Sequence, residues 1–451
     1  MDASAAFEVG RPESVGGAIN NTFGFLNGFY NVRAPASDLL AMSVIVALAG
    51  CRGPKIPFRA GRVDATEAGP PGAPQPHEDL DTFLSRFQTA GFTKSEMIGL
   101  VACGHTLGGV HSTDFPDITG DEGNAENTTV SFFDGTSAEF DNNIVTEYLD
   151  GTTKNPLVVG TNQTLNSDLL VFNSDKNETM AGLADPSTFR STCADLLGRM
   201  INTVPSAVEL TDPIEPPEVK PYFDALSFSS FGNITFKGRV RIRTTNGSGR
   251  DPEDLAVHLT YKDRSGATSP RIIPAQRATF QGGFATGLYG ENFLWFEFNT
   301  EINTDTGISQ FYIHVTKPST NETDFFDNGG NGYPAGDSIL YLTSESCLNT
   351  EIVNGNMDLR VVAAVREEQT QEPLVLNIVH RVPRPGVIVP QLQVRGVEFE
   401  PIGEVRKGYA VYKALTQLAS ESWSTTFDIV GGPGKQSVDF QFTSVLARDN
   451  C

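Results

Sequence analysis

The sequence predicts a multidomain chain, with an all-α domain first and two β-sandwich-like units after it. Three observations predict this. Apolar residues recur at helical spacing up to residue 211. A proline-rich stretch, "TDPIEPPEVKPYF", then interrupts the pattern. Beyond it, apolar and polar residues alternate with period two, as in half-buried strands. The expected boundaries are 1–211 for the helical domain, 212–220 for the linker, and 221–347 and 348–451 for the β units.

Each element has its own signal. "SDLLAMSVIVALAG" predicts a helix with Ser37 as N-cap and Gly50 as stop. "GRVDATEAGPPGAPQPHEDL" reads as a Pro/Gly loop. "HEDLDTFLSRFQTAGF" sets Leu80, Phe83, Leu84 and Phe87 on one helical face. In "FTKSEMIGLVACGH", Thr93 and Glu96 have capping-box spacing. "DPSTFRSTCADLLGRMI" supplies a further amphipathic helix. Strands are expected in "ITFKGRVRIRT", "LAVHLTYK", "FLWFEFNT", "ISQFYIHVT" and "SILYLTS", then in "DLRVVAAVRE", "PLVLNIVHRV", "WSTTFDIVG" and "SVDFQFTSVLA". The order of features recurs, with "GGFATGLYGENFLWFEF" corresponding to "KGYAVYKALTQLASESWSTTF". Two units of about 100 residues suit a β-sandwich.

There are 55 acidic and 33 basic side chains, a formal charge of -22. That excludes nucleic acid and anionic membrane surfaces as expected partners. No apolar run reaches the roughly 18 residues of a membrane span. Sequons begin at Asn20, Asn127, Asn162, Asn177, Asn233, Asn246 and Asn321, which points to an extracellular glycoprotein. "MDASAAFEVGRPESVG" has no basic or apolar leader region, so it is not a signal peptide. Cys51, Cys103, Cys193, Cys347 and Cys451 are odd in number, which leaves at least one unpaired within the chain. Both features lead to the expectation that a first segment is missing.

"LVACGHTLGGVHSTDF" ends an apolar helix in His105, with His111 following. A histidine at a helix end is most often a solvated cap. Six residues apart, His105 and His111 do not share a helical face, and no HExxH occurs, so a zinc pair is not expected. The wider context adds more. "MIGLVACGHTLGGVHSTDF" resembles the proximal-helix motif of the plant, fungal and bacterial haem peroxidase superfamily. "SDLLAMSVIVALAGCRGPKIPFRAGRVDAT" and "GAPQPHEDLDTFLSRFQTAGF" resemble that family's preceding helices and loops, in the same order. The resemblance covers residues 1–205 and is nearest to the secreted fungal branch.

The resemblance implies an all-α haem-peroxidase-like domain that binds haem b and calcium. His105 would be the iron ligand, and Asp175, in "LVFNSDK", the buried acceptor that orients it. Asp134, Thr136 and Asp141 in "DGTSAEFDN", with Thr106 and the Glu139 carbonyl, would hold a proximal calcium. Asp2 and Ser4 match a remnant of the distal calcium site, and Cys51 matches a cysteine whose family partner lies upstream. The implied reaction oxidises small phenolic or aromatic donors with hydrogen peroxide, near the Pro74–Gln75–Pro76 loop. The chain departs from the family in lacking any distal Arg-x-x-Phe-His-Asp-like stretch. It also carries His111 where manganese-oxidising members have aspartate, and Leu100 where lignin-type members have tryptophan. The alternative expectation is therefore an impaired haem-binding protein, or a cell-wall or adhesion protein whose β units contact a wall polymer.

Overall fold

The computed structural model describes residues 1–123, 128–369, 373–431 and 437–448. The chain forms two compact units. One is Met1–Glu215 with Arg384–Val389, and the other is Pro216–Pro383 with the chain from Pro390 on.

The first unit is helical. Its helices are α1 (Ala18–Leu26), α2 (Ala36–Gly50), α3 (Leu80–Thr89), α4 (Lys94–His105), α5 (Pro116–Thr119), α6 (Asn143–Asp150), α7 (Pro156–Val159), α8 (Ser167–Phe172), α9 (Glu178–Gly182) and α10 (Pro186–Ile201). The α4 start is the predicted capping box, with Thr93 and Glu96 bonding reciprocally. Asp79 caps α3 and Asp185 caps α10.

At α2 the cap differs from expectation. Pro35 holds the N-cap position, and Ser37 lies inside the helix. The first N–H groups instead go to Asp64, whose carboxylate accepts from Ala36 N at 3.0 Å and from Ser37 N at 2.8 Å. The helix runs through Gly50 to a C-cap at Cys51. A remote carboxylate thus replaces the local cap, an arrangement no local sequence rule signals.

The same loop anchors the unit through Arg62. Its side chain is fully buried and pairs with Asp38 at 2.9 Å. It also donates to the Ile201 carbonyl, which ends α10, and to Asn202 Oδ1. A disulfide joins Cys103 of α4 to Cys193 of α10. Closing so long a loop stabilises the fold by about 4 kcal/mol in the chain-entropy picture. Cys51 is a free thiol and Cys347 is disulfide-bonded, while Cys451 lies outside the described residues.

Two short strands, β1 (Gly109–His111) and β2 (Val130–Phe132), pair antiparallel just after α4. A Cβ on Gly109 would come within 2.4 Å of the Ser131 carbonyl oxygen, so only glycine permits this approach.

The second unit is built of strands. β3 (Val219–Phe228), β4 (Ile234–Arg243), β5 (Ala256–Lys262), β6 (Ile273–Arg277), β7 (Phe284–Thr286), β8 (Asn292–Ile302), β9 (Gln310–Lys317), β10 (Glu322–Phe326) and β11 (Tyr333–Pro334) form one nine-stranded sheet. β12 (Ile339–Tyr341), β13 (Cys347–Leu348) and β14 (Asn356–Arg366) begin a five-stranded sheet. β15 (Val375–Arg384) and β16 (Val387–Glu398) follow. β17 (Glu400–Arg406) and β18 (Tyr409–Ala419) complete the five-stranded sheet. β19 (Thr426–Val430) and β20 (Ser437–Phe442) join β15 and β16 in a four-stranded sheet.

Each predicted stretch contains a strand, while β3, β16 and β17 lie outside those stretches, and the grouping does not divide at residue 347. Val362, Ala364 and Val411 of the five-stranded sheet pack into the core of the nine-stranded sheet. Val361, Ala363 and Val365 turn the other way, into a core with Leu376, Ile378 and Phe427 of the four-stranded sheet. The two halves therefore share a middle sheet. "VVAAV", Val361–Val365, is continuously apolar because both its faces are buried, the pattern of a doubly covered strand. The linker is also shorter than expected, since strand structure begins at Val219.

Candidate functional site

His105 occupies the last turn of α4, a helix fixed by its capping box and by burial of Met97, Ile98, Ala102 and Cys103. Its Nδ1 lies 2.8 Å from Asp168 Oδ2. Asp168, on α8, is 2% exposed. The same carboxylate oxygen accepts from Asn155 Nδ2 at 2.7 Å. Asn155 is itself fixed as the cap of α7, accepting from Leu157 N. Phe133 stacks on the imidazole, with ring centroids 4.2 Å apart and planes 12° from parallel. The β1–β2 pairing delivers that ring, since Phe133 N donates to the Gly108 carbonyl.

Burial alone lowers the imidazole pKa. The charge and hydrogen bond of Asp168 outweigh it, so the His105 pKa is raised. Asp168 holds the proton on Nδ1, and Nε2 has no hydrogen-bond partner among the described residues. An imidazole held by an anion on one nitrogen and free on the other is arranged as a metal ligand with strong donor character.

Asp175 does not orient His105. It sits in a 3₁₀ turn and accepts from the backbone N and hydroxyl of Thr179, at the start of α9. Downstream of His105 the sequence holds two Ser-Asp pairs, Ser167–Asp168 and Ser174–Asp175. The available signal was the helical pattern, because Asp168 shares the buried side of α8 with Val171 and Phe172.

Next to His105 is an apolar cleft of about 620 Å³. Val44 and Leu48 of α2, Phe87 of α3, Leu100 and Gly104 of α4, and Leu197 and Met200 of α10 line it. Gly104 and Leu107, which bracket His105, also line it, as does Pro74. One charged side chain, Arg86, reaches the wall, and Glu78 holds it at 2.5 and 2.6 Å. A cleft of this size and polarity suits a planar, largely apolar cofactor. With His105 set between the lining residues Gly104 and Leu107, the donor set fits haem.

The predicted calcium residues also come together. Thr106 is fully buried, and its hydroxyl donates to the Asp141 carbonyl at 2.7 Å, with Asp134 Oδ2 at 3.5 Å. Thr136 donates through its hydroxyl to Asp141 Oδ1 at 3.0 Å and through its N–H to Asp134 Oδ1 at 2.9 Å. The Glu139 side chain turns outward to Arg52. Burial, with the nearby charges of Asp141 and Glu147, pushes the Asp134 pKa up to about 6. Among the described residues, no group of three or more His, Cys, Asp or Glu side chains is placed to hold a metal. This site offers two carboxylates with hydroxyl and carbonyl oxygens, a set suited to calcium. At the N-terminus, Asp2 accepts from Ser4 N at 3.0 Å, which is a local turn. Sequence reading missed Glu147 and Asn143, which bond Gly135 and Thr136 beside the acidic pair.

Residues 32–185 match the peroxidase family model. This span contains His105, Asp168 and the calcium-type cluster. Versatile peroxidase VPS1 of Pleurotus eryngii is 33% identical over 120 residues, 26% of this chain and 29% of that protein. Manganese peroxidase 3 of Phlebia radiata is 34% identical over 87 residues, 19% of this chain and 24% of that one. These matches support the haem peroxidase superfamily for the helical part. A WSC domain-containing protein of Arthroderma benhamiae is 34% identical over 439 residues, 95% of this chain. The chain spans 56% of that relative's length, and the match takes in both the helical and the β-rich parts of this chain.

Proposed function

We propose that the helical unit binds haem b through His105 Nε2 and uses hydrogen peroxide to oxidise small phenolic or aromatic donors. The observation that carries this is the His105–Asp168–Asn155 chain beside the apolar cleft, whose lining residues Gly104 and Leu107 flank His105 in sequence. Bound haem would supply the peroxide reduction and the one-electron oxidation of the donor. The chain's own residues do the rest. Asp168 keeps the Nδ1 proton and strengthens Nε2 as a donor, and Asn155 stops Asp168 from turning away. Phe133 fixes the ring plane. Val44, Phe87 and Leu197 exclude water from the cleft.

Among the described residues no histidine lines the cleft, and its one arginine is committed to Glu78. Cleaving peroxide needs a base for its proton and a cation for the developing charge. This chain should therefore bind haem yet turn over peroxide slowly, about 10²–10⁴-fold below a site with a positioned acid–base group. The test is haem titration followed by steady-state oxidation of a phenolic dye. Failure to develop a Soret band would contradict the haem assignment, and fast turnover would contradict the missing-base argument.

Calcium at Asp134, Thr136, Asp141 and Thr106, with the Glu139 carbonyl, would pin the residue next to His105. The pH dependence follows from Asp134. Its folded pKa, about 6, lies above the ordinary 3.8. Without calcium, its stabilising effect is fully present below about pH 4 and lost as pH rises through about 6. Calcium binds the ionised form, so its own stabilisation grows over the same interval. Thermal melting of the helical unit should respond weakly to calcium at pH 5 and strongly at pH 7. Asp134→Asn should abolish that difference; equal calcium responses at both pH values would rule the site out.

Export also belongs to this reading. The Cys103–Cys193 disulfide suits an oxidising compartment. The sequon residues Asn20, Asn162, Asn246 and Asn321 are exposed. Asn177 accepts from Tyr148, Asn233 donates to Glu301, and Asn127 lies outside the described residues.

A further inference from the structure

The inner face of β4 carries Phe236, Val240 and Ile242 into the core, and β8 sends Leu294, Phe296 and Phe298 there too. The alternate residues of both strands therefore form the outer face of the nine-stranded sheet. On β4 those residues are Lys237, Arg239, Arg241 and Arg243, four basic side chains in consecutive outward places. Arg239 pairs with Asp224 at 2.9 Å and Arg243 with Glu218 at 3.4 Å, which leaves Lys237 and Arg241 as the bases without ion pairs on this face among the described residues.

Aromatic rings interleave with these charges. Arg241 lies opposite Trp295 across the β4–β8 pair, and Tyr222 of β3 packs on Trp295 at 5.1 Å. Arg239 sits 5.8 Å over the Trp295 ring. Both rings and Arg239 are half-buried, while Lys237 is exposed. Glu297 lies opposite Arg239. Neither Glu297 nor Arg241 has an ion-pair partner among the described residues, and the Arg241 guanidinium rests only over the Phe293 ring.

We propose that this face docks a linear acidic polysaccharide, a polymer of uronate sugars. Three features point to that occupant. Guanidinium groups pair with carboxylates in two-point fashion, and one of those here is uncommitted. Aromatic rings offer flat apolar surface to the C–H faces of sugars, with their charged neighbours already seated beside them. Glu297, an acceptor set among bases, matches a ligand that also donates hydroxyls. A nucleic acid fits less well. Its dense phosphates would meet Glu297 and the acidic remainder of the chain. The proposal does not depend on haem, because binding is measured without peroxide or cofactor.

The experiment passes the full chain over immobilised polygalacturonate, over its fully methyl-esterified form and over a single-stranded oligonucleotide. Retention is expected on the first alone, falling as salt rises. Lys237→Gln combined with Arg241→Gln should weaken it at least about tenfold, the scale of one lost charged hydrogen bond, with an unchanged melting temperature. Arg241 makes no ion pair, so the variant should fold. Equal retention of the variant would overturn the proposal. So would equal binding to the ester or to the oligonucleotide.

Discussion

Arg62→Ala should lower the stability of the helical unit by about 3–5 kcal/mol, the cost of removing one partner from a buried ion pair. Asp38 would keep its charge at 7% exposure, with only the N–H groups of Gly61 and Arg62 left to it. The α10 end would lose its donor at the Ile201 carbonyl, together with the bond to Asn202. Domains of this kind have about 5–15 kcal/mol in all, so a large fraction of the unit's stability rests on one side chain. Arg62→Lys should recover only part of the loss, because an ammonium cannot reproduce the planar fork. The check is the denaturant midpoint read by far-UV circular dichroism. A shift worth less than about 1 kcal/mol would place Arg62 among ordinary surface pairs.

That prediction rests on a residue the sequence marked only as part of a loop. The helices were legible because capping and apolar spacing are local, as Thr93, Glu96 and the Leu80–Phe87 face show. The strands were legible because alternation is local too. What escaped was set by distant residues. Asp64 caps α2 from outside the helix, so Ser37 looked like the cap. The central sheet is covered on both faces, so "LRVVAAVR" gave no hint of which core it joins. At the site, the family resemblance singled out His105 and the Asp134–Asp141 turn, whose residues the fold brings together. It named Asp175 as the acceptor, seven residues after the Asp168 that bonds His105, because the two Ser-Asp pairs downstream of His105 are equivalent until the fold buries one of them.

His105→Ala should abolish the Soret band of haem-reconstituted protein while leaving far-UV helicity intact. The ring is not a helix-forming contact, and its removal ends the one cofactor bond the cleft can make. Asp168→Asn tests the other half of the pair. An amide cannot carry the charge that draws the Nδ1 proton, so haem affinity should fall about 10–100-fold, as for other partners of metal-bound histidines. The ligand would also donate less strongly, which destabilises oxidised iron and raises its reduction potential. Asp175→Asn should change neither quantity, since Asp175 touches Thr179 and not His105.

The measurement that bears most directly on this account is the reduction potential of the haem-reconstituted chain, compared among wild type, Asp168→Asn and Asp175→Asn. A rise confined to Asp168→Asn is the predicted result. A rise in Asp175→Asn, or equal potentials in all three, would contradict the assignment of His105 and Asp168 as the ligand and its anchor.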